Sequence, residues 1–236
     1  MSVDGGEWFP PEPYLERADE PVARPDRPIG MGDVFLGHPV IRGAREVKPT
    51  QWRVKTAWKP EALAMLVAHP CSARANETSA LKDNISLAPV VPMPAPFERP
   101  WSGYYELFPL PDLYGSNDYV ADLSRVFPCL PEYLEGKRIA CLNEGGLAAL
   151  LDRLARNSTR LEPVHVPGHF EAEAERLRME FDLWEIWLKG HGEEAGFHEW
   201  MKGEWLDGSS RLQSMRGHFE EICASLAEEV GLELEP

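Results

Sequence analysis

The hydrophobic pattern changes its period near Asn143, and this constrains the fold more than any other feature. Before that point "DVFLG", "WRVKTAW", "LAMLVAH", "ISLAPVV", "YYELFPL" and "KRIACL" are short apolar or alternating runs, with Gly, Pro, Asn or Asp in most of the gaps. Short strands at such spacing predict a small barrel or sandwich. Beyond it, apolar residues recur every three or four positions, which is the helix repeat. Asn143 is a natural N-cap for a helix with Leu147, Leu150, Leu151 and Leu154 on one face. A second helix is predicted over 170–189, striped by Phe170, Ala174, Leu177, Phe181, Trp184 and Leu188. A shorter one fits 193–206, with Phe197, Trp200 and Met201 inward. The last fits 210–230, capped by Ser209 or Ser210 and ended by Gly231, with Leu212, Met215, Phe219, Ile222, Leu226 and Val230 as its stripe. The fold class is α+β, a β-rich body followed by a helical region.

Two proline-rich stretches frame the body. Residues 1–28 hold six prolines and few aliphatics, so they read as an extended tail in which Trp8, Phe9 or Tyr14 could dock. Residues 89–111 hold seven prolines, which cannot donate ladder hydrogen bonds. They predict loop or sheet edge, as one long meandering connection.

Charge divides the chain. The net charge is −15 over 236 residues. From Glu171 onward there are 17 acidic and 6 basic residues, so the C-terminal region should repel phosphate backbones. The 42–59 segment reverses the trend, with Arg42, Arg45, Lys48, Arg53, Lys55 and Lys59 against Glu46 alone. Trp52 and Trp58 interleave with these cations, as a stacking platform for single-stranded nucleic acid requires. The same alternation fits an amphipathic strand with its tryptophans in the core. Arg153, Arg156 and Arg160 share a helical face, which either extends the basic patch or pairs with the acidic tail.

The first apolar strand pair raises a chemical question. "LAMLVAH" ends in His69-Pro70-Cys71. Pro70 has no N–H and biases His69 toward extended backbone, so it should end the strand's pairing. An imidazole two residues from a thiol could activate it. The plainer reading has His69 capping the strand and Cys71 packed under the 72–84 loop. The four cysteines (Cys71, Cys129, Cys141, Cys223) have no CxxC pairing and read as buried reduced thiols of a cytoplasmic protein. His165 and His169 have a ligand-like spacing, but in a Pro-Gly loop with no Cys pair nearby. No phosphate-binding Gly loop, HExxH or GxSxG occurs, so neither a metal nor a cofactor is expected. The N-terminus lacks a basic flank and an apolar h-region, and no stretch approaches the ~20 apolar residues that span a bilayer, so no membrane association is expected.

"GDVFLG", then "LAMLVAH", then "ISLAPVVP" resembles the opening of the MazF/PemK-like, SH3-like barrels, in which a Gly-Asp-led strand starts the barrel. "RIACLNEGGLAALLDRLARNSTR" is similar to the terminal strand and helix of a divergent branch of that superfamily. The likeness covers roughly residues 30–160. It implies a small SH3-like barrel over 29–160, between the 1–28 tail and an acidic helical extension over 161–236. It also implies a toxin- or defence-related setting acting on RNA. The chain departs from the ribonuclease members, which resemble one another in an Arg-Pro pair and a later Ser/Thr. The matching positions here are Pro60-Glu61-Ala62 and Pro92-Met93. A binding module without catalysis is therefore expected, contacting single-stranded RNA or DNA through Arg42, Arg45, Lys48, Trp52, Arg53 and Lys55. One alternative is a metal-independent endoribonuclease using His69 as base and Arg53 as phosphate cation. Another is an adapter docking a protein partner through its acidic helices, where Trp184, Trp187 and Trp200 would form the contact.

Overall fold

The computed structural model describes residues 15–17, 28–48, 51–69, 73, 81–82, 84–93, 105–114, 117–159, 169–193, 196–205 and 208–232. The strands are β1 (Leu15–Arg17), β2 (Val34–Lys48), β3 (Gln51–Leu66), β4 (Ile85–Pro92), β5 (Leu107–Tyr114), β6 (Asn117–Asp122), β7 (Phe127–Cys129) and β8 (Arg138–Leu142). They form one antiparallel sheet in the order β1-β8-β2-β3-β4-β6-β5, with β7 also on β4. The far strand β5 comes back beside β1, so the sheet closes into a nearly complete barrel. Four helices follow: α1 (Glu144–Thr159), α2 (His169–His191), α3 (Phe197–Lys202) and α4 (Arg211–Val230). The α+β class read from the period change is the class observed.

The helices start where the caps predict. Asn143 Oδ1 accepts from Gly146 N at 3.0 Å at the head of α1. Ser210 and Gln213 exchange both bonds of a capping box at the head of α4. The shorter helix is trimmed to 197–202, and His169 is the first residue of α2 rather than part of a loop.

The proline-rich stretch takes the sheet-edge alternative in its described residues, rather than forming one long connection. Most of its described residues are strand, because each proline falls where the ladder needs no donor. One edge of β4 pairs with β7 at 85–87 and with β6 at 90–92, and Pro89 sits in the changeover. Pro109 lies on β5, which among the described residues pairs only with β6, and Pro111 lies in an irregularity of that pairing. "WRVKTAW" and "LAMLVAH" likewise belong to one strand, since Pro60 sits in a bulge where residues 60–62 oppose Gly37 alone. Gly37 takes φ +81°, and a Cβ there would come within 3.0 Å of the Trp58 ring. Within residues 1–28, β1 pairs with β8; Trp8, Phe9 and Tyr14, which could dock the tail, lie outside the described residues.

Three apolar cores result. Val34, Met65, Val90, Phe108 and Leu142 fill the barrel together with Leu147 and Leu150 of α1 and Ala174, Leu177 and Phe181 of α2. Phe35, Ala64, Leu66, Ile85 and Leu134 form a second core on the opposite face of the same strands. Burial on both faces explains why Leu63–Ala68 reads as an unbroken apolar run rather than an alternation. A third core joins the C-terminal half of α2 to α3 and α4 through Leu183, Trp184, Phe197, Met215, Ile222 and Leu226. Helix α2 thus serves two cores. It approaches the barrel so closely at Gly30 that any Cβ there would collide with the Phe181 ring.

A buried ion pair ties the entry of β2 to β8. Asp33, at the entry to β2, accepts from Arg138 Nη1 of β8 at 3.0 Å and from Gly30 N at 2.9 Å. Arg138 Nη1 also donates to Pro28 O at 3.2 Å. The Gly-Asp of "GDVFLG" is therefore structural.

Candidate functional site

Strands β2 and β3 are far longer than the barrel requires. Only Val34 and Phe35 of β2 pair with β8, and only Leu63–Leu66 of β3 pair with β4. The remainder, His38–Lys48 against Gln51–Lys59, is a two-stranded ribbon whose strands pair only with each other among the described residues. Along β3, residues 51–62 span roughly 35–40 Å at about 3.3 Å each. The ribbon carries the whole basic segment, so the six nucleic-acid candidates lie on one projecting element. Register places Arg45 opposite Arg53 and Gly43 opposite Lys55. By the two-residue alternation of a strand, positions 45, 53 and 55 share one face, and positions 44, 46, 52 and 54 share the other.

At the ribbon's base Trp58 is 46% exposed, which corrects the expectation that it lies in the core. Its ring lies 6.5 Å from that of Tyr133, and Lys137 Nζ sits 4.2 Å from its centroid. Tyr133 is itself 38% exposed, and Lys137 donates to its carbonyl. This aromatic-cation patch was not legible in the sequence, because Trp58 lies 75 or more residues from Tyr133 and Lys137 along the chain. Nearby His38 is buried, stacks on Phe127 at 5.1 Å and approaches Pro39 O through Nδ1 at 3.0 Å.

His69 lies at the other end of β3. Arg53 and Leu66 are thirteen residues apart on that strand, which is about 43 Å. The two proposed catalytic residues are therefore not brought together within one chain. His69 Nε2 instead lies 3.1 Å from Glu173 Oε1 on α2. Glu173 also accepts from Arg176 Nη2 at 2.6 Å and Nε at 3.0 Å, and Arg176 reaches Glu180 at 2.8 Å. The strand end is thus a docking point for the helices. Cys71 lies outside the described residues. Cys129 and Cys141 are buried, and burial holds the Cys129 thiol above its ordinary value. The partly covered Cys223 is pushed up to about 11, by burial and then by Glu220.

The Arg176 hydrogen bonds, opposed by burial and helped by His69, hold the Glu173 carboxyl below its ordinary value. A depressed carboxylate stabilises the fold above its unfolded pKa and loses that contribution as pH falls through its folded one. Stability is therefore expected to drop as pH falls below roughly 4.3, the ordinary glutamate value. Both side chains are about a third exposed, so the effect is small, on the order of 0.2–1 kcal/mol. Thermal melts of Glu173→Gln should be flatter below that pH than those of the wild type; identical profiles would discount the network.

No protein-family model matches the chain, and no curated protein sequence matches it.

The remaining candidates take structural places. Trp184 and Trp187 are 2% and 7% exposed and pack on Phe197, which corrects their assignment to a partner surface. Trp200 is partly covered, 6.1 Å from Trp187, with Nε1 donating to Glu229 at 3.0 Å. Arg211 lies over it at 4.6 Å. Arg153 is buried and Arg156 pairs with Asp152 of its own helix at 2.7 Å, so neither extends a basic patch. Arg160, His165 and the His169 side chain lie outside the described residues. Among the described residues no cluster of His, Cys, Asp or Glu is placed to hold a metal ion, and no helix is long and apolar enough to cross a membrane.

Proposed function

We propose that the chain is a MazF/PemK-like, SH3-like barrel that binds nucleic acid through the β2–β3 ribbon, without catalysis, in a toxin- or defence-related setting. One observation carries the reading. A chain of net charge −15 sets six of its 24 Lys and Arg residues, against Glu46 alone, on one two-stranded ribbon and places Arg45 opposite Arg53. Like charges directly opposite destabilise a ribbon, so fold stability does not account for the pair. An anionic polymer does, since phosphates neutralise both guanidiniums and release counterions. The endoribonuclease alternative is disfavoured by the separation of His69 from Arg53 along β3. The adapter alternative loses Trp184 and Trp187 to the helical core.

The test uses labelled RNA and DNA probes with the full-length protein. Binding should weaken steeply with salt, and R53E/K55E should abolish it. An affinity indifferent to salt would remove the reading. Cleavage of single-stranded RNA by the wild type, lost in His69→Ala, would restore the enzyme.

A further inference from the structure

The geometry points to double-stranded B-form DNA as the ligand of the ribbon, entered through the major groove; this rests on the nucleic-acid reading above. The first argument is shape. Two strands lie about 4.8 Å apart, and the B-DNA major groove, about 12 Å wide, admits such a ribbon. The deep, narrow major groove of A-form RNA does not. Reach is sufficient, because the ribbon's tip lies seven residues beyond Trp58 on β3, about 23 Å. The groove is only about 8.5 Å deep.

Charge placement is the second argument. Positions 45, 53 and 55 lie on one face, and Gly43, opposite Lys55, adds no side chain there. That face can meet the phosphates of one groove wall. Positions 44, 46, 52 and 54 share the opposite face. A free-standing hairpin with a like-charged pair is marginal by itself.

A single strand fits less well. It needs a run of open aromatic faces on which successive bases stack. The ribbon has two tryptophans, Trp52 and Trp58, six residues apart rather than in a run, and Lys137 sits over the Trp58 ring with Tyr133 beside it. The body, meanwhile, is strongly acidic, so contact is confined to the ribbon. The five cations beyond Trp58 toward the tip, Arg42, Arg45, Lys48, Arg53 and Lys55, then bound the number of phosphates neutralised in the groove.

The experiment compares, by fluorescence anisotropy, one DNA duplex, the matching RNA duplex and each single strand, all of one sequence. The DNA duplex should bind at least tenfold tighter than any other probe. Its affinity should fall with salt at a log–log slope of about −4, as about five phosphates imply. R45E replaces a like-charged cross-strand pair by an opposite-charged one. It should therefore keep or raise the melting temperature while weakening duplex binding at least tenfold, which separates loss of contact from loss of fold. Equal or tighter binding of a single strand or of the RNA duplex overturns the DNA assignment and leaves the nucleic-acid reading standing. Undiminished duplex binding by the folded R45E variant also overturns the assignment. Absence of binding to every probe overturns both.

Discussion

Asp33→Ala is expected to lower the melting temperature by roughly 6–20 °C. The pair it breaks is buried at both ends, with Asp33 fully covered and the Arg138 side chain 9% exposed. Removing one partner of such a pair costs about 3–5 kcal/mol, because the surviving charge stays buried without its countercharge. For chains of this size each kcal/mol shifts the midpoint by about 2–4 °C. Gly30 N loses its acceptor in the same step. Asp33→Asn keeps an oxygen for that amide and should fall between the two. The double variant D33A/R138M removes the stranded guanidinium and should recover part of the loss. A D33A protein that melts with the wild type would show that the barrel does not depend on this tie.

Truncation at Pro167 should yield insoluble or molten protein. The cut removes Ala174, Leu177 and Phe181, which belong to the barrel's own core. Truncating a single buried phenylalanine to alanine costs about 3–5 kcal/mol, against a typical total stability of ~5–15 kcal/mol. Loss of the whole helix exceeds what the barrel can spare. Phe181→Ala in the full chain isolates one contact and should destabilise by that smaller amount. Near-ultraviolet circular dichroism and a thermal melt of fragment 30–167 decide the matter. A soluble fragment with a cooperative transition would mean that the barrel core closes without α2.

The helices were legible because their signals are local. Asn143 and Ser210 cap the ends that follow them, and the stripes of α2 and α4 need only the 3.6-residue repeat. Strand extent was not legible in the same way. Proline reads as a breaker only when the edge it occupies needs a donor, and which edge stays open is settled by partners far along the chain. Pro60, Pro89 and Pro109 lie within strands for that reason. The site was half legible. The basic run at 42–59 is a compositional fact, but its placement on a free ribbon depends on β8 and β4 pairing only with the inner ends of β2 and β3. Trp58 on Tyr133, and Asp33 on Arg138, join residues whose separation leaves no periodic trace. The tryptophans of the helical region show the opposite error. Their number suggested a surface for a partner, whereas α2, α3 and α4 needed them to cover one another.

Strand β3 begins in the ribbon and, three residues beyond its end, His69 meets Glu173 of the acidic helices. The chain's cationic and anionic regions are therefore held toward opposite ends of one element about 50 Å long. Such a molecule carries a large electric dipole moment, and the field of a polyanion exerts a torque on it. If the ribbon binds nucleic acid as proposed, encounters would begin ribbon-first, with the helical end turned away before contact. Association should consequently be faster at low ionic strength than a net charge of −15 would suggest, and orientation, rather than overall attraction, would set the capture rate.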